Sequence, residues 1–365
     1  SSPAALLVFQ DLDSRSVADF NASLISTNAQ PARYEIGNKL QRTPEKPLQG
    51  LRIAIDPGHM GSHIWDVRTG KYVKDGKGHI VSEGVIALQT SLLLKADLEK
   101  LGAQVLVTHE KLAPVSDLDY ETFDIKPFAI NEVRESVHMA WFQNLLSAAP
   151  VGDKLFRAFD VSPQIKTLFS ERSRGNYFIL RADLAARSAM IEDFKPDIAL
   201  VIHYDTTDPV DDSTGLNPNS PYVTKAFVVG GYQSNEFASR TDRKYFVRHL
   251  LDAKSWDLSV NLSRNIVTSL HNKLGLKLDV SGNSPSTAQV EPGVISRNLG
   301  VSRRLKVPAV SYLECLFYNR PDEFAKLIQT KHPMIIDGEN VPYSDRVLEI
   351  SNAIRDGIVE FAKAN

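Results

Sequence analysis

The sequence predicts an α/β fold: a mostly parallel, twisted sheet with helices on both faces, plus a largely helical insertion and an N-terminal extension. Two patterns in the 365 residues predict it. Short apolar runs such as LRIAI, DIALVIHYD and PAVSYLEC read as strands, and between them apolar residues recur at helical spacing. Strands separated by helices pair in parallel and bury both faces of their sheet.

Residues 1–50 are mixed and polar, with a helix-like stretch over Val17–Ile25 and a loose linker, QRTPEKPLQG; they read as an extension. The α/β pattern runs from 51 to 365. The first strand, 51–56, ends at Asp56-Pro57-Gly58, because Pro57 removes a backbone donor and Gly58 permits a tight turn. After a polar loop (60–82), Ser82 is the predicted N-cap of a helix whose stripe is Val85, Leu88, Leu92 and Ala96. Gly102 stops that helix, and AQVLVT (103–108) is the next strand. Residues 111–178 are too long for an ordinary connection, and pieces such as INEVRESVHMAWFQNLLSAA make them a helical insertion. A helix near 180–194, the buried strand DIALVIHYD and the strand KAFVVGGY (225–232) follow. Leu258, Leu262, Ile266 and Leu270 mark a helix over 255–273, and PAVSYLEC (308–315) is a strand. Val347, Ile350, Ile354 and Phe361 mark a terminal helix.

Composition narrows the function classes. A chain that is 42% hydrophobic and 24% charged is an ordinary globular one. A formal net charge of −2 argues against a general nucleic-acid binder, which would show a basic stripe, and leaves room for a polyanion only at a local patch. No apolar run approaches the roughly 20 residues of a transmembrane segment. The single cysteine, Cys315, can form no internal disulfide, which suits the cytosol or an oxidising compartment that avoids free thiols. The Ser1 start, with no charged segment in SSPAALL, is compatible with a processed mature end or with trimming.

In α/β sheets, ligands bind at loops that follow strand C-termini. Four ionisable residues stand at such places or at a helix start: His59, Glu83, His203 and Glu314. Two imidazoles and a carboxylate are a catalytic zinc set that leaves one coordination position open. A further carboxylate can move the proton of a hydrolytic water. Each residue also has a plainer reading. A helix-initial glutamate such as Glu83 stabilises the helix dipole, and a histidine after a strand is often a hydrogen-bonded structural ring. Glu314 is harder to explain so, since it interrupts the apolar run VPAVSYLECLF. His63 and His79 lie in the same loop as His59, where histidines are ordinarily solvated.

These segments resemble the zinc-dependent N-acetylmuramoyl-L-alanine amidases of the amidase 3 type. The resemblance runs over four blocks in the family's order, spread across residues 51–330. IAIDPGH implies His59 as the first zinc ligand, and VSEGVIALQTSLLLKADLEKLGAQVLVTHE implies Glu83 as the second. RADLAARSAMIEDFKPDIALVIHYDTT implies His203 as the third, with Arg187 in the place of the family arginine. VPAVSYLECLFYNRPDEFAKL implies Glu314 as the catalytic glutamate. The chain departs from the family at Met60, where a glycine is usual, and at Gly84, where lysine is common. It departs again at Tyr204 and Asp205, and in the long loop from His59 to Glu83.

The resemblance implies one Zn2+ per chain, a peptidoglycan or muropeptide substrate, and cleavage of the amide between N-acetylmuramic acid and L-alanine. It implies a periplasmic or secreted place in the bacterial cell envelope, with any regulatory protein partner unspecified. Arg187 reads as a structural partner of a nearby carboxylate, and Asp205 as either a residue orienting a ligand ring or a surface aspartate. Cys315 alternates to the opposite strand face and reads as a core thiol. The long loop and the insertion are expected to wall or cover the metal. Two other functions stay open: a zinc peptidase or amidase acting on another amide, and an inactive wall- or partner-binding domain.

Overall fold

The computed structural model describes residues 36, 43–62, 65–66, 69–124, 175, 178–210, 213–231, 245, 249, 253–284 and 286–365. The helix expected over Val17–Ile25 and most of the insertion therefore lie outside the described residues. β1 (Arg52–Pro57) leads to a hairpin of β2 (Tyr72–Lys74) and β3 (Ile80–Ser82), then to α1 (Glu83–Lys100) and β4 (Gln104–Val107). A π-helical turn, Phe178–Asp183, runs into α2 (Leu184–Phe194), followed by β5 (Ile198–Asp205) and β6 (Val223–Val229). α3 (Ala253–Leu274), β7 (Lys277–Leu278), β8 (Thr287–Glu291) and β9 (Val294–Arg297) come next. β10 (Ala309–Phe317), α4 (Pro321–Leu327) and α5 (Asp345–Ala364) complete the principal elements.

Among the described residues the main sheet has eight strands in the order β4-β1-β5-β10-β6-β9-β8, with β7 beside β6. The strands β4, β1, β5 and β10 pair in parallel, while β10–β6 and β8–β9 are antiparallel. β6–β7 and β6–β9 are parallel too, so among the described residues five of the seven pairings are parallel, and the sheet is mostly parallel as its sequence predicts. The short strands β7–β9, which the sequence pattern does not predict, extend the sheet beyond β6: β7 and β9 run parallel to β6, and β8 antiparallel to β9.

Helices cover both faces. Ile53, Ile55, Ile198, Leu200 and Ile202 pack with Leu94 and Leu98 of α1, Ile266 of α3 and Ile354 of α5 in the main core. Ala54, Ala199, Val201 and Val310 project the other way and pack with Ile191 of α2. This alternation is the period-two geometry of strands. From β1 the chain crosses through α1 to β4 on one side, and later through α2 to β5 on the other. Crossovers of one hand running in opposite directions place α1 and α2 on opposite faces. The order reverses at β1 and β5, and such a switch point leaves a crevice at the strand C-termini.

α1 begins as its sequence predicts, with Ser82 Oγ accepting a hydrogen bond from Val85 N at 3.3 Å. Its buried face differs from the predicted stripe. Of the four predicted residues Leu88 is buried, Val85 and Leu92 are half-buried, and Ala96 is exposed. The helix instead buries Ala87, Thr90, Ser91, Leu94 and Leu98. Two of these are polar, but their hydroxyls donate to carbonyls four residues back, Thr90 to Ile86 at 2.8 Å and Ser91 to Ala87 at 2.7 Å. Satisfied in this way, they pack like apolar residues and hide the true face from a hydropathy pattern. In α3 and α5 the predicted stripes are the buried ones.

Candidate metal centre

β1 delivers His59 to the crevice. Gly58 N donates to Ile202 O at 2.7 Å, which ties the turn to β5. His59 itself has φ +59°, a left-handed conformation that costs a non-glycine residue about 1–2 kcal/mol. Arg187 on α2 holds it there. The guanidinium donates to the carbonyl oxygens of His59 and Pro57, the latter at 2.5 Å, and pairs with Asp183 at 2.6 Å and Asp56 at 3.2 Å. All three charged groups are buried. Burial pushes the Asp56 carboxyl up, against the opposing pull of Arg187. Arg187 is therefore a structural partner of carboxylates, and it acts on the site through the backbone of His59.

Glu83 is the first residue of α1, and its N–H donates to Lys71 O at 3.0 Å. Its carboxylate lies between two imidazoles. Oε1 is 2.9 Å from His203 Nδ1 and accepts from Tyr204 N at 3.2 Å, and Oε2 is 3.1 Å from His59 Nε2. The two rings meet edge to face with centroids 4.8 Å apart. Burial alone would raise the Glu83 carboxyl, but the His59 charge and hydrogen bonds to both rings hold it well below the usual carboxylate range. Burial disfavours the charged form of His203 and lowers it to about 4, more than the hydrogen bond to Glu83 restores.

Two glycines make this convergence possible. A Cβ on Gly58 would stand 2.5 Å from His203 Cε1, so only a glycine leaves room for the ring. A Cβ on Gly84 would lie 2.2 Å from Gly61 N. The departure at Gly84 thus has a steric reason: the loop after His59 crosses directly over the first turn of α1.

Met60, the other departure in that loop, is buried with Trp65, Tyr120, Phe123, Phe178 and Ala182 in a small separate cluster. The Trp65 and Phe178 rings stack at 5.7 Å. Val115 N and Ser116 N donate to Asp183 Oδ1 at 2.6 and 3.2 Å. The described ends of the predicted insertion therefore pack against the ligand loop; residues 125–174 lie outside the described residues.

Glu314 faces the same crevice. β10 pairs with β5 so that Glu314 is the cross-strand partner of His203, and its Oε2 is buried without a hydrogen-bond partner. Burial raises its carboxyl well above the ordinary range; Asp205 and Glu83 add to the rise, and Lys225 and Lys71 oppose it. Tyr312, two residues earlier on the same strand face, stacks on the His203 ring at 4.5 Å and 14°. The sequence reading passed over Tyr312, though its i−2 relation to Glu314 signals it. Asp205 pairs with Lys225 Nζ at 2.6 Å and makes no described contact with an imidazole, so the contact it makes is an ion pair. Cys315 is buried in the main core on the opposite face. His79 pairs with Asp75 at 2.7 Å in the exposed turn of the hairpin, away from the ligand cluster, and His63 lies outside the described residues.

Among the described residues, ligand atoms of His59, Glu83 and His203 lie within 4.8 Å of one another. They come from a strand end, a helix start and a neighbouring strand. A buried carboxylate between two imidazoles is a donor set that fits a divalent cation favouring nitrogen and oxygen. The residues present fit such an ion.

No family model matches the chain, and no curated protein matches it. Solved structures do. N-acetylmuramyl-L-alanine amidase Ami1 from Mycobacterium smegmatis is 13% identical with a TM-score of 0.45; the match covers 87% of this chain and 99% of that one. The CwlD amidase from Clostridioides difficile, solved in complex with the GerS lipoprotein, is 14% identical with a TM-score of 0.42, covering 86% and 100%. Cwp6 from Clostridium difficile is 16% identical with a TM-score of 0.40, covering 85% of this chain and 29% of its own length. N-acetylmuramoyl-L-alanine amidases are among the structural neighbours. At these identities and TM-scores the weight of a functional reading falls on the site's own residues. No described helix is long and apolar enough to cross a membrane.

Proposed function

We propose that the chain is a zinc-dependent N-acetylmuramoyl-L-alanine amidase, hydrolysing the amide between N-acetylmuramic acid and L-alanine in cell-wall peptidoglycan. The observation that carries the reading is the cluster of His59, Glu83 and His203 with an unpartnered Glu314 carboxylate oxygen in register beside it. A pure binding domain has no use for a buried carboxylate with a free oxygen, which burial makes costly. The sequence resemblance supplies the substrate, and with it a place in the periplasm or outside the cell. It also assigns the catalytic role to residues 51–365, with 1–50 as an extension.

His59, Glu83 and His203 would hold the zinc. When bound, zinc supplies Lewis-acid polarisation of the scissile carbonyl and lowers the pKa of water at the site. The remaining work belongs to the chain. Glu83 draws both rings together, with its carboxylate oxygens 2.9 Å from His203 Nδ1 and 3.1 Å from His59 Nε2, and Tyr204 N donates to it. Glu314 Oε2 accepts a proton from the hydrolytic water and delivers it to the departing alanine nitrogen. Burial and the charges of Asp205 and Glu83 raise its carboxyl above the ordinary range, the direction that favours holding the proton in transit. Tyr312 holds the His203 ring from behind by stacking.

The test is metal content and turnover on purified sacculi in three proteins. Wild type should carry one zinc and release muropeptide stems. Glu314→Gln should keep zinc and lose about 10²–10⁴-fold in rate, and His59→Ala should lose both. A His59→Ala protein with full metal and full activity would overturn the assignment. Release of a different amide product would move the reading to another zinc amidase.

A further inference from the structure

The tyrosine that follows the third ligand residue touches the site through its backbone, yet its side chain reaches the helix that carries the second. Tyr204 is buried in the main core. Its N–H donates to Glu83 Oε1 at 3.2 Å, and its hydroxyl lies 2.6 Å from Thr90 Oγ1. Thr90 directs its own proton to Ile86 O at 2.8 Å. A hydroxyl has one proton to give, so between the two side chains the phenol donates and the threonine accepts.

Glu83 and Thr90 stand two turns apart on one face of α1, about 10 Å along its axis. Tyr204 therefore grips that face at two points, by its backbone at the first residue and by its hydroxyl two turns on. Its neighbour His203 leaves the opposite face of β5. One residue thus ties the helix that presents a ligand to the strand that presents another. The His203 ring is itself confined. On the β1 side a Cβ at Gly58 would stand 2.5 Å from Cε1, and on the β10 side Tyr312 stacks on the ring at 4.5 Å. The carboxylate has no such box, because its place follows the slide and rotation of α1. Leu94 and Leu98 hold the helix against the sheet, but apolar packing is non-directional and sets neither quantity closely. The bond from Tyr204 to Thr90 is directional, and it sets both.

We propose that Tyr204 is a positioning residue for the metal centre: through Thr90 it fixes α1 against β5, and with it the separation of Glu83 from His203. The inference rests on the reading of His59, Glu83 and His203 as ligands, and deepens it by naming a determinant of their spacing outside the ligand set. Tyr204 is also a position at which the chain departs from the family it resembles, so this device belongs to the chain and not to the shared motif. A ligand pair already held at its spacing needs little ordering when an ion binds, and the saving appears as affinity.

The experiment measures zinc affinity of the full chain by competition with a chromophoric chelator, in wild type, Tyr204→Phe, Thr90→Val and the double variant. The melting temperature of the metal-free chain and turnover on purified sacculi are measured alongside. Both substitutions remove a hydroxyl and keep the core filled. Tyr204→Phe should weaken zinc binding about tenfold, the lower end of the loss when a ligand's support is removed. Thr90→Val should do the same, and the double variant should be no weaker than either single, since both remove one bond. Unchanged affinity in Tyr204→Phe, whatever its melting temperature, overturns the assignment, because a residue that only fills the core moves stability alone. Losses that multiply in the double variant overturn it as well. Turnover tests the amidase reading separately. A wild type that binds zinc, shows the coupled losses and leaves sacculi intact keeps Tyr204 in its role and removes hydrolysis. Hydrolysis by wild type with equal zinc affinity in all four proteins does the reverse.

Discussion

Glu314 and His203 are cross-strand partners on β10 and β5, so their side chains leave the sheet on the same face. The carboxyl that would move the proton is thereby placed beside a ligand imidazole by strand register alone. A one-residue slip of β10 would exchange Glu314 for Leu313 or Cys315, both of which lie in the main core.

Asp205 sets the charge that Glu314 feels. After burial, it is the largest influence raising the Glu314 carboxyl, while Lys225 opposes it. Asp205→Asn removes the repulsion and frees Lys225, so Glu314 should deprotonate at lower pH. The acidic limb of the kcat/KM profile on muropeptides should move to lower pH, with metal content unchanged. A limb that stays in place or moves upward would contradict this electrostatic account.

Gly58 reserves the space of the His203 ring. In Gly58→Ala the new methyl meets ring carbon and nitrogen at 2.5–2.6 Å, and the ring must turn away. Zinc affinity, measured by competition with a chelator, should fall about 10–100-fold, the range seen when the support of a ligand is lost. Unchanged affinity would show that the ring can move without cost.

Arg187 carries the strained His59 turn. Arg187→Met leaves Asp56 and Asp183 buried without their cation, a loss of about 3–5 kcal/mol, and frees the His59 carbonyl. Chemical denaturation should show that loss in the metal-free protein. A fall confined to activity, with stability intact, would make Arg187 a substrate contact instead.

The metal-free protein should also weaken in acid. His203 binds its proton at about 4 in the folded chain, against an ordinary 6.5. A depressed folded pKa contributes stability that is complete above the unfolded value and is lost as pH falls toward the folded one. Denaturation of the zinc-free chain between pH 7 and 4 should therefore show falling stability that His203→Asn largely abolishes. A flat wild-type profile over that window would mean the ring is not held neutral.

The parts of the site legible in the sequence are those where chemistry and element boundary coincide. DPGH marks a strand end, Ser82-Glu83 a helix start, and the Glu314 carboxyl an interruption in an apolar run. What stayed hidden depends on tertiary geometry. Thr90 and Ser91 are buried through bonds to their own helix, so hydropathy places the face of α1 one step away. Arg187 shows its partners only once Asp56, Asp183 and the His59 carbonyl are brought together from three separate segments. Tyr312 reads as one more strand residue until its stacking on His203 is seen. Strands as short as β7, with two residues, carry too little pattern to read at all.

The central claim is that one divalent ion is shared by His59, Glu83 and His203. Anomalous scattering collected at the zinc edge from crystals of the metal-loaded protein tests it most directly. The account expects a single strong peak bonded at about 2.0–2.2 Å to a nitrogen of each imidazole and to the Glu83 carboxylate, with Glu314 close by. A peak on other side chains, or none while the protein hydrolyses its substrate, would contradict it.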